Sequence, residues 1–97
     1  MMDWYALSDV AIAAEMGKRL KTIRSSRRLT QGELAERAGV SVFTVSQIES
    51  GKNTSVATLL ALLRVLKLLE NVETLLPEQP TSPLSVYNQQ RKKQRNR

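Results

Sequence analysis

A chain of 97 residues makes one small domain with tails, and the lack of cysteine and histidine excludes disulfides, most zinc sites and the common nucleophile–base pairs of catalysis. No apolar run approaches the roughly 20 residues that cross a bilayer, and the first residues lack the charged-then-apolar layout of a secretory signal, which points to the cytoplasm. Fifteen basic residues against nine acidic, net +6, suggest a polyanionic partner, although five of the bases fall in the run 91–97, RKKQRNR, and leave the remainder nearly neutral.

Residues 1–7 hold Trp4 and Tyr5, half of the aromatic residues. They read as an N-terminal arm, either disordered or with an aromatic packed on the domain edge. The alternative is an arm that docks on a partner. Ser8 then caps a long first helix, with Leu7 and Ile12 as a hydrophobic staple. Ile12, Met16, Leu20 and Ile23 recur at helical spacing and are expected to face the core. Lys18, Lys21, Arg24 and Arg28 line other sides, solvated by default, with one or two able to touch phosphates.

Residues 31–51, QGELAERAGVSVFTVSQIESG, predict two short helices joined by a tight turn. Thr30 at the N-cap and Glu33 at N3 make a capping box, and Leu29 and Leu34 occupy the staple positions. Gly39 marks a helix exit at positive φ. Ser41 caps the second helix, Val45 and Ile48 point back at the first, and Gly51 ends it. Small Ala35 lets the two helices cross closely. With Val45 and Ile48 inward, the 100° step turns Phe43, Ser46, Gln47 and Ser50 outward, with Val42 at the shoulder and Ser41 at the N-terminus. Such a helix presents its N-terminal part to base edges in a DNA major groove. Gln47 can bond adenine bidentately, Ser46 can serve several bases, and Phe43 or Val42 can contact thymine methyls. Phosphates would be held by Thr30 and Gln31 at a helix start and by Ser50, Lys52 and Asn53 around the following loop.

Residues 55–67 predict a fourth helix, capped by Ser55 or Thr54, with two apolar stripes: Val56, Leu59, Leu60, Leu63 and Leu66 on one, Leu62, Val65 and Leu69 on the other. Leu68, Val72, Leu75 and Leu76 predict a short fifth helix before Pro77. One small core cannot bury so much leucine, and a homodimer interface is the expected sink. Residues 77–97 read as a proline-rich linker and a basic tail, flexible in isolation, that can follow DNA or an acidic protein surface, with residues 84–87 able to add a brief strand to a partner. The expected architecture is therefore all-α: a compact bundle of about five helices over residues 8–76, with arm and tail outside it.

These residues resemble the Cro/Xre family of helix-turn-helix repressors over roughly residues 16–68. Gln31, Ala35, Gly39, Val45 and Ile48 fall at the family's marked positions, and Glu49-Ser50-Gly51-Lys52 is similar to its E-x-G-K ending. The resemblance implies a lambda-repressor-like fold, base contacts from Ser41, Val42, Phe43, Ser46 and Gln47, and a structural ion pair between Arg24 and Glu49. This chain departs from better-known members in placing apolar Val42 and Phe43 where polar side chains often stand. The implied function is a homodimeric repressor of double-stranded DNA acting on a palindromic operator. The small size and the extra aromatic and basic ends look like an antitoxin-type autorepressor, and the chain is similar to HipB-like antitoxins, including a tail of Ser-Pro-Leu followed by glutamine and arginine, which implies a HipA-like toxin protein as a second partner. Phage-type and restriction-control regulators share the same domain, and a protein-binding adaptor on this fold is the further alternative. Catalysis, a cofactor and a metal are not expected: the nine acids are scattered, and Glu33, Glu36 and Glu49 have structural explanations.

Overall fold

Helix caps set the element boundaries in the computed structural model, which describes residues 1–80. Five α-helices follow a 3-10 helix at Trp4–Ala6: α1 (Asp9–Ser26), α2 (Gln31–Ala38), α3 (Val42–Glu49), α4 (Val56–Val65) and α5 (Asn71–Leu75). Ser8, Thr30, Ser41 and Ser55 stand in extended conformation just before α1 to α4, and each accepts a backbone N–H three residues on. Each hydroxyl satisfies one of the donors that a helix start leaves without an internal partner. At α2 the capping box is complete, with Thr30 N–H donating to Glu33 Oε1 at 3.0 Å and Glu33 N–H to Thr30 Oγ1 at 3.0 Å.

The same four helices also close in a common way at their C-termini. A backbone N–H reaches back five residues in Leu29→Arg24, Val40→Ala35, Lys52→Gln47 and Leu68→Leu63, with a shorter bond nested inside each. This is the Schellman closure, and it requires one residue in left-handed conformation. Gly39 (φ 74°) and Gly51 (φ 82°) supply it at low cost, whereas Arg28 (φ 58°) and Lys67 (φ 60°) carry a side chain there.

The core joins Leu20 of α1, Leu34 and Ala35 of α2, Val45 and Ile48 of α3, and Leu62 of α4 with Leu66 just beyond it. α3 packs on α1 and α2, and α4 packs on α2. Two sequence expectations change here. Of the expected stripe on α1, Leu20 is buried and Ile23 packs on the core, but Ile12 is only half-buried and Met16 is exposed. The end of α3 approaches α1 at the buried Gly17 instead, and Met16 lies on the wall of an apolar groove. On α4 the buried seam is Leu62 and Leu66, one residue from each stripe, while Val56 and Leu60 are exposed.

Residues 1–7 do not pass into the core. The Trp4 ring lies 5.0 Å from the Arg19 guanidinium carbon, a cation–π contact at the domain edge, and Tyr5 is fully exposed. A mainly apolar groove of about 380 Å³ runs between α1, α4 and α5, walled by Met16, Leu20, Leu59, Leu63, Leu68 and Leu75. The expected strand at 84–87 and the basic tail at 91–97 lie outside the described residues.

Candidate nucleic-acid interface

The α2–turn–α3 unit owes its shape to a few side chains. Gly39 turns the chain out of α2, and the Val40 N–H closes that helix on the Ala35 carbonyl at 3.0 Å. Val40 itself packs against the core, so the turn is fixed by hydrogen bonds and by burial. Leu34 and Val45 are fully buried and Ala35 nearly so. A larger side chain in place of Ala35 would push the two helices apart.

A buried polar node ties three elements together behind α3. Arg24 Nε donates to Glu49 Oε2 at 2.6 Å and its terminal nitrogen to Oε1 at 3.1 Å, a bidentate pair, while its other terminal nitrogen donates to the Leu29 carbonyl at 2.7 Å. Gln31 Nε2 adds a third donor to Glu49, 3.0 Å from Oε1. Among the described residues no buried side-chain nitrogen or oxygen is left without a partner. That completeness makes a buried charge tolerable. Burial pushes the Glu49 carboxyl up, but hydrogen bonds from Arg24 and Gln31, with the charges of Arg24 and Lys21, outweigh it and leave the pKa below its ordinary value. The hydrogen bond to Glu49 raises Arg24 above its ordinary value. The node joins α1, the α1–α2 turn and α2 to the last residue of α3, and so fixes the end of that helix.

Gly17 and Gly51 fix the same end sterically. A Cβ at Gly17 would stand 2.7 Å from the Glu49 carbonyl oxygen, and one at Gly51 2.8 Å from the Ala14 Cα. Neither contact was foreseen from sequence as a feature of the site. For Gly17 the available signal was a glycine inside a helix-favouring run, which marks close backbone approach; Gly51 was legible only as the end of α3.

With its back held, α3 turns a distinct face outward. Val42 and Phe43 of its first turn are 52 % and 68 % exposed. Ser46 and Gln47, one turn on, are half-buried, and Ser50 is exposed beyond them. Ser41 is exposed as well, but its hydroxyl is engaged: it accepts the Thr44 N–H at 3.1 Å and shares a 2.9 Å hydrogen bond with Thr44 Oγ1. Lys52 and Asn53 stand exposed in the loop after α3. At the start of α2, Thr30 is exposed, whereas the Gln31 side chain is turned inward to Glu49. Any phosphate contact from Gln31 therefore falls to its backbone N–H, which, like that of Gly32, has no acceptor among the described residues. Glu33 brings a carboxylate to the same turn, held below its ordinary pKa by the Thr30 backbone N–H and the Thr30 hydroxyl.

Among the described residues, no group of three or more acidic side chains could hold a metal ion, and no helix is long and apolar enough to cross a membrane. A family model described as a helix-turn-helix domain matches residues 15–76, from the middle of α1 to the end of α5. A comparison with curated proteins gives no match.

Proposed function

The chain belongs to the helix-turn-helix domain family, and on that premise we propose that it is a sequence-specific transcriptional repressor of double-stranded DNA, working in the cytoplasm as a homodimer. The carrying observation is the outward face of α3, solvent-accessible in front and tied behind by the Arg24–Glu49–Gln31 node. A helix held in this way enters the major groove with its first two turns against base edges. Val42, Phe43, Ser46 and Gln47 read the bases, with Ser41, its hydroxyl engaged by Thr44, placed against them at the helix start; Thr30, Gln31, Ser50, Lys52 and Asn53 hold phosphates on either side and set the register. Two copies would place their α3 helices about 34 Å apart on a near-palindrome. Exposed Leu60 and Leu76, together with Leu75 on the wall of the apolar groove, favour the dimer. No catalysis is required, since occupancy of a promoter represses it.

The narrower proposal is an autorepressing antitoxin with a HipA-like toxin as its protein partner. It rests on the resemblance of the chain's ends to HipB-like proteins, and co-purification with the product of an adjacent kinase-like gene tests it. The DNA reading is tested by titrating a duplex from the gene's own upstream region against a scrambled duplex at several salt concentrations. Preference for the upstream duplex that persists with salt is expected, with Gln47→Ala costing about 1–3 kcal/mol. Equal binding that vanishes steeply with salt would refute specific readout. The competing adaptor reading draws on the exposed apolar Phe43, and it predicts that Lys52→Glu leaves DNA affinity unchanged.

A further inference from the structure

The first turn of α3 is short of free hydrogen-bonding groups. The Ser41 and Thr44 hydroxyls are joined to each other, and the Ser41 oxygen also caps the helix. A polar side chain spent on its own backbone is a poor base reader. The side chains of that turn that remain open are Val42 and Phe43, and neither belongs to the core or packs against it. Two adjacent apolar groups on the outward face of such a helix have one complementary feature in the major groove, the C5-methyl group of a pyrimidine.

We propose that Phe43 and Val42 read pyrimidine C5-methyl groups, so that the half of each site facing the first turn of α3 is selected by methylation at C5 rather than by a hydrogen-bond pattern. Hydrogen-bonded readout is left to Ser46 and Gln47 in the second turn. The inference rests on the proposal that α3 enters the major groove. Thymine carries the methyl by default, and 5-methylcytosine presents the same group on a different base. Removing one methyl from a dry contact costs about fourfold in affinity, the factor carried by one buried methylene group.

The test begins with selection of bound sequences from a random duplex pool by the full-length protein. The selected duplex is then resynthesised with deoxyuridine for each thymine in turn, which removes the methyl and keeps every hydrogen bond. Replacing the same thymine–adenine pair by cytosine–guanine, with and without the cytosine C5-methyl, isolates the methyl on a second base. Expected are about a fourfold loss at one or two thymines per half-site, a similar gain from cytosine to 5-methylcytosine there, and loss of both differences in Phe43→Ala or Val42→Ala. Both side chains are largely exposed, so the variants keep the core. A selected sequence bound equally with thymine and deoxyuridine throughout overturns the methyl readout and leaves the DNA reading intact. A pool that enriches no sequence overturns the DNA reading, and the methyl readout with it.

Discussion

Gly17→Ala separates the helix-propensity argument from the packing argument, because the two predict opposite signs. In a solvent-facing helix the change gains about 0.5–1 kcal/mol, since alanine loses less conformational freedom on folding. Gly17, however, is buried against the end of α3. Its new Cβ would stand 2.7 Å from the Glu49 carbonyl oxygen, 2.9 Å from the carbonyl carbon, and closer still to the Ile48 carbonyl oxygen. All three are backbone atoms, so no rotamer change relieves them. Ordinary contact begins at 3.4 Å, so the end of α3 must retreat by about 1 Å. Three backbone contacts this short put the overpacking in the upper part of the usual range, about 2–3 kcal/mol, for a net loss of about 1–2.5 kcal/mol after the propensity gain. In a domain of this size each kcal/mol moves Tm by about 4–8 °C. Gly32→Ala is the internal control, since its Cβ would meet only Thr30 Oγ1 at 3.8 Å. Thermal and urea unfolding by circular dichroism should show Gly17→Ala clearly destabilised and Gly32→Ala neutral or better. A Gly17→Ala protein as stable as its parent would refute the packing argument. A site needs its reading groups held to within about 0.5 Å, so Gly17→Ala should also weaken specific DNA binding under conditions where it is still fully folded.

The remaining predictions concern the polar node and the helix ends. Glu49→Gln or Arg24→Met should each cost about 3–5 kcal/mol in urea unfolding, because either leaves a buried charge unpaired or half-satisfied; the joint change Arg24→Met with Glu49→Leu should recover part of that loss. Acid should destabilise the fold with a defined sign. The Glu49 pKa is lower folded than unfolded, so on acidification the unfolded chain takes up its proton first. Its contribution is therefore complete above the ordinary carboxylate range near about 4.3 and is lost as pH falls through the lower folded value. Denaturation from pH 7 to 2 should show a shallower acid loss in Glu49→Gln than in the parent. Arg28→Gly and Lys67→Gly should each raise stability by about 0.5–1 kcal/mol, the left-handed penalty of an L-residue less the extra freedom of glycine in the unfolded chain. Gly39→Ala should do the reverse, and unchanged Tm values in this set would show the caps to be unstrained.

The helices were legible because their punctuation is local. Ser8, Thr30, Ser41 and Ser55 are N-caps, and Gly39 and Gly51 are exits, by chemistry that acts within four residues. The turn and the burial of Val45 and Ile48 followed from periodicity. Less legible was anything settled by distant parts of the chain. The α4 pattern offered two stripes, and only packing on α2 selects Leu62 and Leu66. The sequence offers Gln31 to a phosphate at a helix start, but Glu49, 18 positions on, gives its side chain a buried acceptor. The left-handed Arg28 and Lys67 were hidden because basic residues are ordinary near helix C-termini. In the candidate interface, exposure of Val42 and Phe43 agrees with the helical step, whereas the bond between the Ser41 and Thr44 hydroxyls depends on side-chain geometry that residue types do not reveal.

Trp4 bears on how this protein would be watched in solution. It is the sole tryptophan, and it leans on Arg19 outside the core. Its emission therefore reports the docking of the N-terminal turn, which meets Arg19 through the Trp4 ring and through Met2 Sδ, and not the packing of Leu34, Val45 and Leu62. Segments at chain ends open at lower free energy than the cooperative core. A fluorescence melt would fall ahead of the helical signal, and the mismatch would mimic a folding intermediate even with the core unfolding in one step, as small single domains usually do.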